Sequence, residues 1–240
     1  MNPADTPLLT VADLRVDFGG TQILQGVTFE VPRAGITAML GRNGVGKTTT
    51  LRAMIGEVPA TGRVEIDGRS ILGRPTHTLV ADGIGYVPED RRVFGGLSVA
   101  ENLRLAERAD TPDYQTAYQL FPELKQRARQ RAGTLSGGQQ QMLALARVLI
   151  NPNRLLLVDE PTKGLAPKVV GEVVEALRRA AEAVPVLLVE QNLAAVRRLA
   201  DQAVVLAAGR VVWRGPGADL LADADRTRTL LGVGSSKGHR

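Results

Sequence analysis

The stretch "GRNGVGKTT", Gly41 to Thr49, decides how the rest of this chain is read. It fits G-x-x-x-x-G-K-[ST], a pattern in which glycines let backbone N–H groups converge on phosphate oxygens without interference from a Cβ. The pattern carries weight only between a strand and a helix. Here "GITAMLG" precedes it as a short buried strand, and "KTTTLRAMIG" follows as a helix closed by Gly56. The helix start adds partial positive charge. Lys47 brings a point charge to the β- and γ-phosphates, and the Thr48 hydroxyl suits Mg²⁺. Gly41, Arg42, Asn43, Gly44, Val45, Gly46, Lys47, Thr48 and Thr49 are therefore the candidate phosphate-binding residues.

Downstream, "LLLVDE" ends an apolar run in Asp159 and Glu160. Four consecutive aliphatics mark a central parallel strand, and ligands of open α/β sheets bind at the carboxyl ends of such strands. Asp159 is placed to hold Mg²⁺, and Glu160 to polarise a water aimed at the γ-phosphate. Strand side chains alternate, so the two acids point in different directions and serve two roles.

The remaining text supports an α/β body with a helical insert. Leu14, Val16 and Phe18 alternate, as do Val27, Phe29 and Val31, around the turn "GGT". "GRVEIDGRSI" and "GIGYVPE" read as further strands. From about Glu89 to about Ile150 the chain is mostly helical, with a capping box at Ser98 and Glu101 and a second helix opened by Thr111 and Pro112. Strand and helix then alternate until a hairpin turning at Gly209. The tail from 233 to 240 reads as unstructured.

Composition narrows the function classes. The 240 residues are 44% hydrophobic and 23% charged, ordinary for a globular protein. Aromatics at 3% argue against base-stacking surfaces, and no nucleic-acid partner is expected. The absence of cysteine excludes disulfides and thiol chemistry, and His77 and His239 alone make no metal cluster. The net charge of +5 suits an anionic partner such as a nucleotide. No apolar run approaches the roughly 18 residues of a membrane span. The N-terminus lacks a signal-peptide pattern, so the expected location is cytoplasmic.

"TLSGGQQQMLALARVL", Thr134 to Leu149, poses a separate question. Ser136 alone could cap the helix that begins there. The two bare glycines beside it suggest a binding partner. A small-molecule kinase built on a phosphate loop would leave them unexplained.

With "GRNGVGKTT" and "LLLVDEP", the "LSGGQ" of this stretch resembles the ATP-binding cassette (ABC) ATPases along nearly the whole chain. The resemblance implies a P-loop NTPase (RecA-like) α/β core with an N-terminal antiparallel β subdomain and an inserted α-helical subdomain. Within a single domain over 1–232, the core would span about 1–88 and 151–232, and the helical part about 89–150. It implies that two cassettes pack head to tail. ATP and Mg²⁺ held by one phosphate loop are covered by Ser136, Gly137, Gly138 and Gln139 of the other. Phe18 matches the aromatic that stacks on adenine. Metal contacts fall to Thr48, Asp159 and Glu89, and catalysis to Glu160 and Gln191.

Three positions depart from the family pattern. Glu89 stands where glutamine is usual, adding charge near the phosphates. Ala166 replaces an aspartate that crosses to the other cassette. Gln191 replaces a histidine; it hydrogen-bonds but carries no positive charge. "VPEDRRVF", "DEPTKGLAP" and "LLVEQN" together resemble the second ATPase of bacterial branched-chain amino acid importers. Cassettes of urea and amide importers look similar, and a soluble non-transport cassette is a further reading. An importer implies permease partners, a second ATPase identical or different, a periplasmic binding protein, and a peripheral place on the inner membrane. The basic residues Lys125, Arg127, Arg129 and Arg131 read as a solvated helical face.

Overall fold

The structure, a computed structural model, describes residues 6–232. The tail from 233 to 240 lies outside the described residues. The chain opens with β1 (Leu9–Phe18), β2 (Thr21–Val31), β3 (Ile36–Leu40), α1 (Lys47–Met54), β4 (Thr61–Ile66) and β5 (Arg69–Ser70). Helix α2 (Thr76–Ala81) leads to β6 (Ile84–Val87). Four helices follow: α3 (Val99–Leu105), α4 (Tyr114–Leu120), α5 (Pro122–Gln126) and α6 (Gly137–Leu149). Alternation resumes with β7 (Leu155–Asp159), α7 (Pro167–Ala181), β8 (Val186–Val189), α8 (Leu193–Leu199), β9 (Gln202–Ala207), β10 (Arg210–Pro216), α9 (Gly217–Ala222) and α10 (Ala224–Leu231).

Two sheets result. The first is antiparallel, in the order β2-β1-β4-β5. The second runs β10-β9-β3-β8-β7-β6 and is parallel except for the β9–β10 hairpin. Its central strands β3, β7 and β8 are buried at every position, as a parallel sheet covered on both faces requires. Alternate side chains go to opposite cores. Leu157, Leu187 and Val189 join the core shared with the antiparallel sheet and α1. Leu156, Val158 and Leu188 join a core that also holds Leu103, Phe121 and Leu143 of the inserted helices. The insert thus shares its core with one face of the parallel sheet.

Local details follow the sequence with two corrections. Ser98 and Glu101 form both halves of a capping box on α3. The next helix is not opened by Thr111 and Pro112: α4 starts at Tyr114, and Asp113 caps it by accepting from the Thr116 N–H at 2.9 Å. Asp113 wins because its carboxylate reaches a first-turn N–H. The basic run is only partly helical, since α5 ends at Gln126 and Arg127, Arg129 and Arg131 lie beyond it. The β9–β10 turn holds Ala208 and Gly209 both at positive φ, the geometry of a tight hairpin. The Gly209 N–H donates to the Val45 carbonyl at 3.2 Å, so the hairpin tip braces the phosphate loop.

Candidate functional site

The carboxyl ends of β3, β7 and β8 lie side by side and carry the site. β3 delivers the phosphate loop, β7 delivers Asp159 and Glu160, and β8 is followed by Glu190 and Gln191. In the loop, Gly44 has φ 77°, and a Cβ there would meet nothing within 4 Å. Gly46 caps α1 at φ 106° and offers no side chain, so the first N–H groups of that helix remain available. Lys47 is 4% exposed. Its Nζ donates to the Gly41 carbonyl at 2.9 Å and to the Arg42 carbonyl at 3.0 Å. Burial pushes its pKa below the usual lysine value, opposed by the carboxylates of Glu160 and Asp159.

Asp159 is 0% exposed. Its Oδ1 accepts from Thr48 Oγ1 at 3.2 Å, while Oδ2 is buried with no hydrogen-bond partner among the described residues. Burial pushes the carboxyl up to about 6; the Thr48 hydroxyl opposes this, and the charges of Glu160 and Glu89 add to it. An orphaned carboxylate oxygen beside a threonine hydroxyl is a donor set that fits a hard divalent cation.

A stability prediction follows. Between its unfolded value of 3.8 and its folded value of about 6, the native acid keeps a proton that the unfolded chain gives up. Its buried charge therefore destabilises the ligand-free protein above pH 6 and has no such effect below pH 4. Asp159→Asn is expected to raise the melting temperature at pH 8, by on the order of 1–3 kcal/mol of stability, with the gain vanishing at pH 4. Thermal denaturation at the two pH values checks it.

Glu160 leaves β7 with φ 44°, a left-handed conformation that a non-glycine residue adopts at a cost. It is 7% exposed. Its Oε1 accepts from Gln191 Nε2 and lies 3.8 Å from Lys47 Nζ, and its Oε2 lies 3.4 Å from Lys163 Nζ. Gln191 is exposed and so is not a core residue. Two contact sets result, Thr48 with Asp159 and Lys47 with Glu160 and Gln191, side by side because 47–48 and 159–160 are each consecutive in the chain. Glu89 reaches the second set indirectly: its carboxylate accepts from Lys163, which bridges to Glu160. Lys163 was missed by the sequence reading, where nothing distinguishes it from other surface lysines. Phe18 stands at the β1–β2 hairpin, 51% exposed, which removes the core reading for that side chain.

The "LSGGQ" stretch is placed apart. Ser136 caps α6 by accepting from the Gln139 N–H at 3.3 Å, and Gln139 Oε1 accepts from the Ser136 N–H at 3.0 Å. This second half of a capping box was not read from the sequence, although Ser-x-x-Gln is its signature. Gln139 also donates to Glu123 at 2.8 Å. A Cβ on Gly138 would approach the Val169 side chain to 2.8 Å, so that glycine has a packing reason within its own chain. Among the described residues, no hydrogen bond joins 136–139 to the phosphate loop, Asp159 or Glu160.

A family model described as "ABC transporter" matches residues 24–163. Over 224 residues the chain is 43% identical to the high-affinity branched-chain amino acid transport ATP-binding protein BraG of Pseudomonas aeruginosa, covering 90% of this chain and 95% of that one. The BraF protein of the same organism, of the same description, is 30% identical over 94% of this chain and 98% of its own length. A crystal structure of a nucleotide-free ATP-binding cassette from an ABC transporter superposes with a TM-score of 0.80 at 23% identity, covering 92% of this chain and 98% of that one. That likeness concerns the fold. The inserted helices, the phosphate loop ahead of β7 and the paired acids at its end have the explanation these matches supply: this chain belongs to the ABC transporter family and is a nucleotide-binding, ATP-hydrolysing cassette of it.

Proposed function

We propose that the chain is one of two cassettes that power the uptake of branched-chain amino acids through partner permeases, fed by a substrate-binding protein. The observation that carries the reading is the 43% identity to BraG over 90% of the chain. Similarity to BraF as well favours a pair of related but different cassettes. No helix among the described residues is long and apolar enough to cross a membrane. In this reading the chain lies against the cytoplasmic face of the membrane, held there by the permeases. The segment around Pro88 lines a cleft of about 370 Å³ whose apolar residues Tyr86, Leu105 and Val148 stand among charged ones such as Glu57, Arg92 and Arg147, a mixed surface for permease docking.

The phosphates of ATP lie along the loop from Gly41 to Thr49, with Lys47 on the β- and γ-phosphates and Phe18 against the adenine. Thr48 and Asp159 would hold Mg²⁺, which would offset phosphate charge. Glu89 joins that set only by giving up its bond to Lys163. Glu160 takes a proton from the attacking water, and Gln191 orients Glu160 through their direct bond. Ser136, Gly137, Gly138 and Gln139 of the second cassette cover the γ-phosphate. This accounts for why none of them contacts the loop of their own chain. Closure around ATP and release after hydrolysis drive the permeases.

The test is a deletion of this gene in the source organism with uptake assays for labelled leucine and labelled urea. Loss of leucine uptake, restored by the intact gene, is expected. Loss of urea uptake alone would favour the urea or amide cassette. No loss of either would favour a cassette outside transport.

A further inference from the structure

Glu190 stands in "LLVEQN", where the sequence assigns a role only to its neighbour Gln191, yet it is 2% exposed and carries four hydrogen bonds. Its Oε1 accepts from the Thr162 N–H at 3.1 Å and from the Thr162 hydroxyl. Its Oε2 accepts from the N–H groups of Gln191 and Asn192, each at 2.8 Å. Two loops are joined by one side chain. Thr162 lies two residues beyond Glu160, and Gln191 and Asn192 lie in the loop after β8, directly after Glu190. The strand ladder ends just before them, with Asp159 opposite Val189 and the Glu160 N–H on the Val189 carbonyl at 2.9 Å. Beyond that bond no ladder pair joins the two strands, and the Glu190 carboxylate ties the loops that follow them. An acceptor-only group with four lone-pair sites suits four converging donors, which no neutral side chain of that size does. On its far side Asn192 caps α8 through the N–H groups of Ala194 and Ala195, so the second loop is anchored at both ends.

We propose that Glu190 is a positioning residue, which holds the loops of Glu160 and Gln191 as one unit so that the bond between those two side chains keeps its catalytic geometry. The proposal rests on the roles given above to Glu160 and Gln191. Both Glu190 oxygens are already taken by donors of Thr162, Gln191 and Asn192, so its role runs through those loops.

The test is a double-mutant cycle on the full chain with its partner cassette, measuring kcat, ATP KM and melting temperature. Glu190→Gln keeps the shape but turns an amide NH₂ toward two N–H donors. It is expected to lower kcat by about 10- to 100-fold while KM moves by less than roughly threefold. In a Gln191→Ala background the same change is expected to add little, because its effect runs through Gln191. Glu190→Asp, which keeps the charge, is expected to recover part of kcat. A folded Glu190→Gln with wild-type kcat overturns the proposal, as does a kcat loss fully additive with that of Gln191→Ala. If Glu190→Gln does not fold, Thr162→Val removes one donor alone, and an unchanged kcat there overturns it equally. Glu160→Gln is measured alongside. Turnover surviving in that variant sinks the catalytic assignment, whereas its loss together with a silent Glu190→Gln sinks only the clamp.

Discussion

Glu160→Gln is expected to lower ATP turnover by about 10²- to 10⁴-fold while leaving ATP affinity within a few fold of wild type. The amide has the shape of the carboxylate and keeps one oxygen for Gln191 Nε2. It cannot take a proton from water. Binding is spared because the residues proposed to hold phosphate come from the 41–49 loop, and Lys47 keeps its bonds to the Gly41 and Arg42 carbonyls. Removal of one negative charge from the site also lessens repulsion of the phosphates. Single-turnover hydrolysis and equilibrium nucleotide binding separate the two effects. Near-normal hydrolysis would transfer the base role to another group, Glu89 being the next carboxylate through Lys163.

Lys47→Met has the second large expected effect, this time on binding: ATP affinity falls by about 100-fold or more. The Nζ is buried, so its charge is poorly screened and bears strongly on a phosphate nearby. The same atom ties the loop together through two carbonyls, and Glu160 loses a cation 3.8 Å away. Methionine retains most of the stem and its packing, which limits collapse of the site. Isothermal titration with a slowly hydrolysed ATP analogue reads the loss directly. An affinity within threefold of wild type would mean that backbone N–H groups alone hold the nucleotide.

The parallel core was legible because its signals are local. "GITAMLG" and "RLLLVDE" are short apolar runs that become fully buried strands, and the phosphate loop lies between strand and helix as its pattern demands. The hairpin at Gly209 was legible from turn chemistry. The start of α4 differs from the Thr111–Pro112 expectation because Asp113 stands next in line, and only three-dimensional reach makes it the cap. The site was legible where one motif holds all its parts and illegible where distant loops meet. Lys163 reaches back 74 residues to Glu89 while pairing with Glu160 three residues before it. Glu190 and Thr162 are 28 apart, and each looks ordinary in its own strand or loop. In the sequence, the glycines beside Ser136 suggest a partner. The close approach of Val169 to Gly138 supplies a second reason, invisible without the packing of α7 on α6.

The separation of Ser136–Gln139 from the phosphate loop within one chain makes the central claim testable in a single measurement. Multi-angle light scattering of Glu160→Gln with Mg·ATP, alone and mixed with its partner cassette, reads whether ATP joins two chains. The account predicts a nucleotide-dependent particle of twice the 25.6 kDa chain mass, or the sum of the two different cassettes, lost when ADP replaces ATP. A hydrolysis-dead chain that binds Mg·ATP tightly and stays monomeric in both settings would contradict it.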